Sequence, residues 1–450
     1  MSELPPGPTE PPLLQTIRWL MRPIAFLESC RRRFGDAFSV QFLGFETPMV
    51  MISHPDAIKA LYGVREHGLP PGRTLALLPV VGSRSLLLLE GSDHIARRRL
   101  MLPPFHGERM RAYEEIVRDA VARDLAGWPV GRPFALHPHM QAVTLDVILR
   151  AVFGVTDETR RTRLAGRLAG LLGSTASPRL QFGVLVSRRI GGPDPLARLA
   201  QVTSEIDELL AEEIAERRAD PREDILSLLV EARFDDGGTM DDREVRDQLM
   251  TLLLAGHETT ATGLAWTFDL LLRHPRALER VVAEVDAGED AYLRAVVEES
   301  LRLRPVVPIA GRRLKSELRV DGHVLPPGTD VTPAIWLAHT RADRYPEPYA
   351  FRPERFLDSK PATYAWIPFG GGIRRCIGAA FAEMEMRVAL AEILRRRELR
   401  PASAGAERVA RRNVTFSPRG GTRVIAVPRG QAPSARSSAS PTVAGSSRSL

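Results

Sequence analysis

The sequence Phe369-Gly370-Gly371-Gly372-Ile373-Arg374-Arg375-Cys376-Ile377-Gly378 contains one of only two cysteines in a chain of 450 residues. Its three consecutive glycines predict a tight turn, because glycine adopts positive φ angles that other residues resist. Residues 377–398, rich in Ala, Leu, Glu and Arg, predict a long helix directly after this turn. We therefore expect Cys376 near a helix N-terminus, where free N–H groups and the helix dipole lower the pKa of a thiol and stabilise the metal-binding thiolate.

Two simpler interpretations of this cysteine loop stay open on its residues alone. A lone cysteine is commonly a buried structural side chain, and a glycine loop before a helix can cradle phosphate, although no Gly-Lys-Ser/Thr follows here. The full spacing Phe-x-x-Gly-x-Arg-x-Cys-x-Gly, however, resembles the haem-binding loop of the cytochromes P450. The resemblance implies that Cys376 ligates the iron of haem b and that Phe369, Gly372 and Gly378 belong to the haem-binding site.

The segment Ala255-Gly256-His257-Glu258-Thr259-Thr260 lies within residues 241–273, a mostly apolar stretch that predicts a buried helix. Taken alone, its polar groups are most simply explained by a helix kink against a polar neighbour. The segment is also similar to the Ala-Gly-x-Asp/Glu-Thr oxygen-activation motif of the same family. That similarity implies a haem contact at Ala255 and a proton relay through Glu258 and Thr259. Iron ligation by His257 is disfavoured, because the loop spacing favours sulfur.

The tetrapeptide Glu299-Ser300-Leu301-Arg302 places an acid and a base on one face of a predicted helix, where an ordinary surface ion pair is the simplest interpretation. The family has the same Glu-x-x-Arg before a proline-rich turn, and Pro305 follows here. The resemblance implies a structural Glu299–Arg302–Arg355 network beneath the cysteine loop.

Haem carries two propionates, which need cations or hydrogen-bond donors. The resemblance assigns this role to His94 and Arg98, four residues apart on one predicted helix, to Arg312 after the Glu-x-x-Arg helix, and to Arg374 in the cysteine loop. The simpler interpretation of His94 and Arg98 is a solvated helix surface. Family members often have Trp at the position of His94, and both residues can donate a hydrogen bond.

The pattern along the chain predicts a mainly α fold, with a large helical lobe around a long central helix and a small β-rich lobe. Residues 1–15 read as an extended lead-in, residues 37–53 as a β-hairpin, and residues 312–331 and 409–427 as short strands. Long loops are expected at 63–91 and, as a lid, at 173–195. We expect one domain over 1–428 and a disordered tail at 429–450, because the tail has almost no large apolar residues.

Composition narrows the function. Two cysteines exclude a disulfide framework and fit a reducing cytosol, and no signal peptide or membrane span is expected. The chain has a net charge of +7, but its basic residues do not alternate with aromatic ones as in many nucleic-acid-binding proteins. The positive charge therefore favours an acidic protein partner over nucleic acid. The basic docking surface is predicted from five arginines: Arg97, Arg99, Arg109, Arg111 and Arg375.

The sequence therefore predicts a cytoplasmic, monomeric haem-thiolate monooxygenase that hydroxylates or epoxidises a lipophilic small molecule with O2. Electrons are expected from a separate ferredoxin or flavodoxin with its NAD(P)H-dependent reductase, since no flavin or nicotinamide fingerprint occurs. A haem-thiolate isomerase or dehydratase and a non-catalytic haem sensor are the rival functions. The apolar pocket is predicted to contain Val306, Val307, Ile309, Leu252, Leu253 and Ala255.

Overall fold

The computed structural model describes residues 4–64, 67–69, 78–107, 109–175, 197–357, 361–412 and 414–430. The described helices of five or more residues are α1 Pro12–Met21, α2 Pro23–Phe34, α3 Pro55–Gly63, α4 Gly91–Met101, α5 Arg109–Ala126, α6 His137–Val147, α7 Glu158–Thr175, α8 Ala197–Ala219, α9 Ile225–Glu231, α10 Asp242–Leu272, α11 Pro275–Ala287, α12 Ala291–Leu303, α13 Ile335–His339 and α14 Ala379–Arg396. A π-helical turn, Ile148–Val152, extends α6.

The strands of the described residues lie in four small sheets. They are β1 Ala37–Val40, β2 Met49–Ile52, β3 Pro133–Ala135, β4 Arg312–Arg313, β5 Leu318–Val320, β6 His323–Leu325, β7 Asp330–Pro333, β8 Arg397–Pro401, β9 Val409–Arg412, β10 Thr415–Pro418 and β11 Arg423–Pro428. The largest sheet has the order β1-β2-β7-β4, with β2 and β7 parallel; the others are β3-β11-β8, β9-β10 and β5-β6.

Helix α10 is the central element of the fold. Asp241 caps its N-terminus by accepting a hydrogen bond from the Glu244 backbone N–H at 2.7 Å, which satisfies one of the free donors of the first turn. Between residues 244 and 272 nearly every side chain is buried or half-buried. The helix packs against α6, α12 and α14 and against β10, so its middle lies inside the molecule.

The mainly α fold with small sheets confirms the predicted fold class. The β1–β2 hairpin, the short strands at 312–333 and the helix after the cysteine loop are confirmed as well. The extended lead-in at 1–15 is wrong in its last part, because α1 begins at Pro12. Strands β3 and β8 were not predicted; each is short and pairs only with β11, which is distant in sequence.

Three predictions fall largely outside the described residues. The lid at 173–195 overlaps the end of α7 at residues 173–175, and its remaining residues are not described. The same holds for much of the loop at 63–91, and the tail predicted at 429–450 is described only to residue 430. A single domain over 1–428 stays a prediction. Within the described ranges, none of the helices has both the length and the hydropathy needed to cross a bilayer.

Candidate active site

The cysteine loop is folded by its own backbone. Gly370 and Gly372 have φ angles of +67° and +64°, which other residues rarely adopt. The Cys376 N–H donates to the Phe369 carbonyl at 2.9 Å, and the Arg375 N–H donates to the Gly372 carbonyl at 3.1 Å. These bonds fix Cys376 two residues before Gly378, the N-cap of α14.

The end of α3 explains why the loop needs glycine at two consecutive positions. A Cβ atom on Gly371 would lie 2.5 Å from the Tyr62 ring, and one on Gly372 would lie 2.4 Å from the Tyr62 carbonyl oxygen. Contacts this short are not tolerated between heavy atoms. The glycines therefore let α3 pack directly onto the loop that carries Cys376.

The Cys376 side chain is accessible to solvent. Burial raises the pKa of its thiol, outweighing the Gly378 N–H and the charges of Arg375 and Arg98, which lower it. The residue is nevertheless exposed. Solvent therefore reaches the Cys376 side chain although protein atoms surround it. The expected lowering of the thiol pKa is wrong, because it considered the effect of the helix N-terminus and not the opposing effect of burial.

An opening lies against the middle of α10. Ala255 is the only exposed residue between 244 and 272, while Leu253 and His257 on either side are buried. The Thr259 hydroxyl donates to the Ala255 carbonyl at 2.5 Å, the bond expected for a threonine one turn later. The helix nevertheless runs unbroken from Asp242 to Leu272. A small side chain here thus leaves open space against a continuous helix.

The Glu258 carboxyl is turned toward α6. Its Oε2 accepts a hydrogen bond from Gln141 Nε2 at 2.6 Å. Its Oε1 accepts none among the described residues and lies 3.6 Å from Arg412 Nε and 3.9 Å from His137 Nε2. Burial raises the pKa of Glu258, while Arg412, Gln141 and the Thr262 hydroxyl lower it. The carboxyl therefore binds a proton more readily than an exposed glutamate does.

The structure brings the four predicted propionate residues together. Burial, with the charges of Arg374, Arg98 and Arg312, lowers the pKa of His94 to about 3. Burial also lowers the pKa of Arg98 and Arg312, and Arg98 lies within electrostatic reach of Cys376. Three guanidinium groups around a buried histidine repel one another, so the cluster favours an anion.

These residues fit a haem. The cluster offers cationic partners for two carboxylates beside the sulfur that would ligate the iron, and Cys376 and Ala255 each border open space. No described carboxylate stands among the groups that act on Arg98 or Arg312. The cluster therefore favours binding of a dianionic ligand.

Removing two of these cations is expected to weaken haem retention. For Arg98→Gln/Arg312→Gln the haem dissociation constant should rise at least roughly 100-fold, because each of the two charge-assisted hydrogen bonds contributes about 1.5–3 kcal/mol. Transfer of haem to a scavenging apoprotein measures this. The control Arg99→Gln/Arg319→Gln removes two exposed arginines and should leave retention unchanged. Equal retention by both double variants would contradict the role of the cluster.

The structure also assembles Glu299, Arg302 and Arg355. Arg302 donates to Glu299 through Nε at 2.6 Å and Nη2 at 2.8 Å, and neither side chain is exposed. Arg355 Nε lies 3.2 Å from Glu299 Oε1. Arg302 Nη1 also donates to the backbone carbonyl of His339. The ring Nε2 of the same histidine accepts a hydrogen bond from the Ile367 N–H at 2.8 Å. The network therefore reaches the segment that leads into the cysteine loop.

Sequence reasoning missed the partners of Glu258 and misplaced part of the pocket. Gln141, His137 and Arg412 lie more than 100 residues from Glu258 in the chain, and no short motif marks them. Leu253 is fully buried in the helical core rather than facing open space. Val306 is also buried, whereas Val307 and Ile309 are half-buried.

Comparison with known proteins shows one consistent similarity. The model of the family described as cytochrome P450 matches residues 5–420. Cytochrome P450 135B1 of Mycobacterium tuberculosis is 42% identical over 434 residues, covering 94% of this chain and 91% of that protein. Cytochrome P450 138 of the same species is 38% identical over 439 residues, covering 94% and 96%.

Solved structures have the same fold. The structure described as retinoic acid bound cyanobacterial CYP120A1 superposes with a TM-score of 0.82 at 25% identity, covering 95% of this chain and 100% of that chain. The haem domain of cytochrome P450DA has the same TM-score at 22% identity, covering 95% of this chain and 98% of its own.

Proposed function

The chain belongs to the cytochrome P450 family of haem-thiolate monooxygenases, and from this premise we propose that it inserts one oxygen atom from O2 into a lipophilic small molecule by hydroxylation or epoxidation. The observation that carries the proposal is the cation cluster beside Cys376, with an exposed alanine in the middle of the central helix. This combination provides a sulfur ligand, an anion site and open space for a substrate.

Haem b is the cofactor of this family. We assign its iron ligand to Cys376, its propionate partners to His94, Arg98, Arg312 and Arg374, and its remaining contacts to Phe369, Gly372, Gly378 and Ala255. When bound, haem with a cysteine thiolate supplies reductive O–O cleavage and oxygen-atom transfer. The chain positions that chemistry: the glycines fix the loop, the arginines hold the carboxylates, and Ala255 leaves room beside α10.

Glu258 and Thr259 are proposed as the proton relay. Burial favours the protonated form of Glu258, so the carboxyl can hold a proton inside the molecule. Its Oε1, which accepts no described hydrogen bond, is the atom free to exchange that proton. The Thr259 hydroxyl lies on the next residue, hydrogen-bonded to the Ala255 carbonyl where the helix borders open space. In this relay the Thr259 hydroxyl gives up its hydrogen bond to the Ala255 carbonyl, donates its own proton toward that space and takes a replacement proton that comes from Glu258.

Glu258→Gln is expected to slow turnover by roughly 100-fold with little change in substrate binding, because general acid–base groups contribute about 10²–10⁴-fold. The kinetic solvent isotope effect should rise as proton delivery becomes limiting. Glu258→Asp keeps a carboxyl and should recover most of the rate. A Glu258→Gln enzyme with unchanged kcat and isotope effect would remove the acid from the relay.

We propose the substrate class from the apolar residues predicted for the pocket. Ala255, Val307 and Ile309 carry no charge and are each at least partly accessible to solvent, which favours a fatty acid, terpenoid, steroid or polyketide. The structure similar to this chain at 25% identity is described as retinoic acid bound, which supports a lipophilic ligand. Screening such compounds for a shift of the haem Soret band tests the class. Products that contain one atom of ¹⁸O from ¹⁸O₂ support the proposed reaction, whereas turnover without oxygen consumption rejects it.

The family needs a redox partner, and we propose a ferredoxin or flavodoxin with its NAD(P)H-dependent reductase. Arg375, beside the ligand cysteine, is exposed, as are Arg109 and Arg111 on α5. Arg97 does not belong to this surface, because it binds Glu244 at 2.6 Å and lies over the Phe234 ring. Arg99 is exposed and paired with Asp235 at 2.5 Å. We further propose that the protein acts as a cytoplasmic monomer.

Reversing one charge of this surface is expected to slow electron delivery. Arg375→Glu should lower the rate of haem reduction by an acidic ferredoxin roughly 10-fold at low ionic strength. Added salt should reduce the difference in rate between this variant and wild type, because salt screens exposed charges. Stopped-flow reduction measures both effects. The control Arg319→Glu reverses an exposed arginine on β5. Salt-independent reduction, equal in wild type and Arg375→Glu, would contradict docking at Arg375.

A further inference from the structure

Helix α1 has its apolar side outward. Leu13, Leu14, Ile17, Leu20 and Met21 are all exposed, between 44% and 71% of each residue, and they follow the spacing of one helix face. We call these five residues the α1 patch. They are five of the twelve large hydrophobic residues found exposed in the described parts of the chain. An outward apolar face of this kind is the reverse of a normal surface helix.

The inner face of α1 shows why the helix cannot simply rotate. Gln15 is buried, its Nε2 donating to the Glu10 carbonyl at 2.8 Å and its Oε1 accepting from the Gln41 N–H at 2.9 Å. Trp19 is buried beside it and packs against Phe42 and Phe416 with ring centroids 5.7 Å away. Turning the α1 patch inward would break these contacts, so the fold holds the apolar face toward solvent.

The neighbouring β1–β2 turn extends the apolar surface. Phe45 in this turn is exposed, and its ring lies 6.5 Å from that of Phe42, which packs on Trp19. The Leu43 N–H donates to the Thr16 hydroxyl at 2.7 Å, which ties the turn to α1. The exposed Phe45 thus lies on a turn that is hydrogen-bonded to α1.

Several of the charged residues near α1 are arginines. Arg22 directly follows the helix and is exposed. Arg33, also exposed, acts electrostatically on Cys30 together with Arg18 and Glu10, so these groups lie close together. Glu10 is already paired with Arg18 at 2.5 Å. An apolar face with cations at its rim complements an anionic lipid surface, in which chains meet the apolar groups and phosphates meet the arginines.

Two other occupants fit less well. Five half-exposed side chains present on the order of 400 Å², about half of the roughly 800 Å² that each partner contributes to a stable dimer. Residues 431–450 contain only Val443 and Leu450 as large apolar residues, so their sequence is poorly suited to cover an apolar face. A bilayer needs neither a large area nor a matching shape.

We propose that the α1 patch inserts into the headgroup region of an anionic membrane and holds this protein at the bilayer surface. The helix lies in the plane of the interface and does not cross it; at ten residues it is too short to span a bilayer. This attachment is independent of the substrate and the redox partner.

The test uses the full haem-loaded chain and two kinds of vesicle, phosphatidylcholine alone and phosphatidylcholine mixed with phosphatidylglycerol. In flotation, wild type should bind the mixed vesicles more strongly. Ile17→Ser/Leu20→Ser should weaken that binding at least roughly 10-fold. The control Val130→Ser/Leu357→Ser replaces two exposed apolar residues elsewhere and should bind as wild type does. The ferrous–carbon monoxide spectrum of each variant verifies that it is folded.

Several results would overturn the proposal. One is that wild type fails to float with the mixed vesicles. Another is that Ile17→Ser/Leu20→Ser floats as well as wild type. A third is that Val130→Ser/Leu357→Ser loses as much vesicle binding as Ile17→Ser/Leu20→Ser does. A dimer on size-exclusion chromatography that Ile17→Ser/Leu20→Ser converts to monomer would assign the patch to a second copy of the chain. Equal binding to both vesicle types would reject the anionic preference. Arg22→Glu/Arg33→Glu should lower binding to the mixed vesicles several-fold.

Discussion

Cys376→Ala is expected to abolish oxygenation, with kcat at least roughly 1000-fold below wild type, a change of about 4 kcal/mol in activation free energy. The sulfur ligand is what favours O–O cleavage in this family, so an alanine, which offers no ligand at all, removes that chemistry. Cys376→His offers a different ligand and should retain pigment without oxygenation. Product formation under saturating reductant and the ferrous–carbon monoxide spectrum measure the two effects.

The other cysteine supplies a matched control. Cys30 is buried in α2, where burial raises the pKa of its thiol to about 11. Cys30→Ser should therefore leave both the spectrum and the product yield unchanged, at a small cost in stability. If Cys376→Ala keeps the wild-type spectrum and yield while Cys30→Ser loses them, the ligand has been assigned to the wrong cysteine.

Arg302→Ala is expected to destabilise the protein by about 3–5 kcal/mol, because it leaves the Glu299 carboxylate buried without its main partner. The wild-type Arg302 also donates to the carbonyls of His339, Pro348 and Ala350, at 2.7–3.2 Å, and these acceptors would lose their donor. Because the His339 ring accepts from the Ile367 N–H, haem loss should accompany the lower stability. Denaturant unfolding and haem retention measure the two effects.

Arg400→Ala is the matched control for this pair. Arg400 also binds a carboxylate through two nitrogens, at 2.9 and 2.7 Å to Glu398, but the two side chains are 55% and 47% exposed. Its loss should lower the free energy of unfolding by no more than about 1 kcal/mol. Equal destabilisation by the two substitutions would show that burial of the Glu299–Arg302 pair is not what makes it important.

The sequence was most informative where function depends on neighbouring residues. The glycine turn, the helix after Cys376 and the Thr259 hydrogen bond to the Ala255 carbonyl are all local, so spacing alone could predict them. The buried Glu299–Arg302 pair is also local, at i and i+3 of one helix. In each case the backbone geometry of a turn or helix sets the distance between the two groups.

What the sequence left out depends on contacts between distant segments. The Glu258 carboxyl is held by Gln141 from α6 and lies near Arg412 from β9, and neither residue type is distinctive where it stands. The direction of the Cys376 pKa shift was wrong for the same reason, since burial is a property of the assembled fold. The outward apolar face of α1 was missed because residues 1–15 were expected to be extended, and because apolar spacing does not reveal which side of a helix faces solvent.

The most direct measurement is the carbon monoxide difference spectrum of the reduced, purified protein. A cysteinate ligand at position 376 predicts the strongly red-shifted Soret band that is typical of haem-thiolate proteins, and Cys376→His should lose it. A Soret band at the position typical of histidine ligation in the wild type, or a protein that binds no haem, would contradict the assignment of Cys376 as the iron ligand.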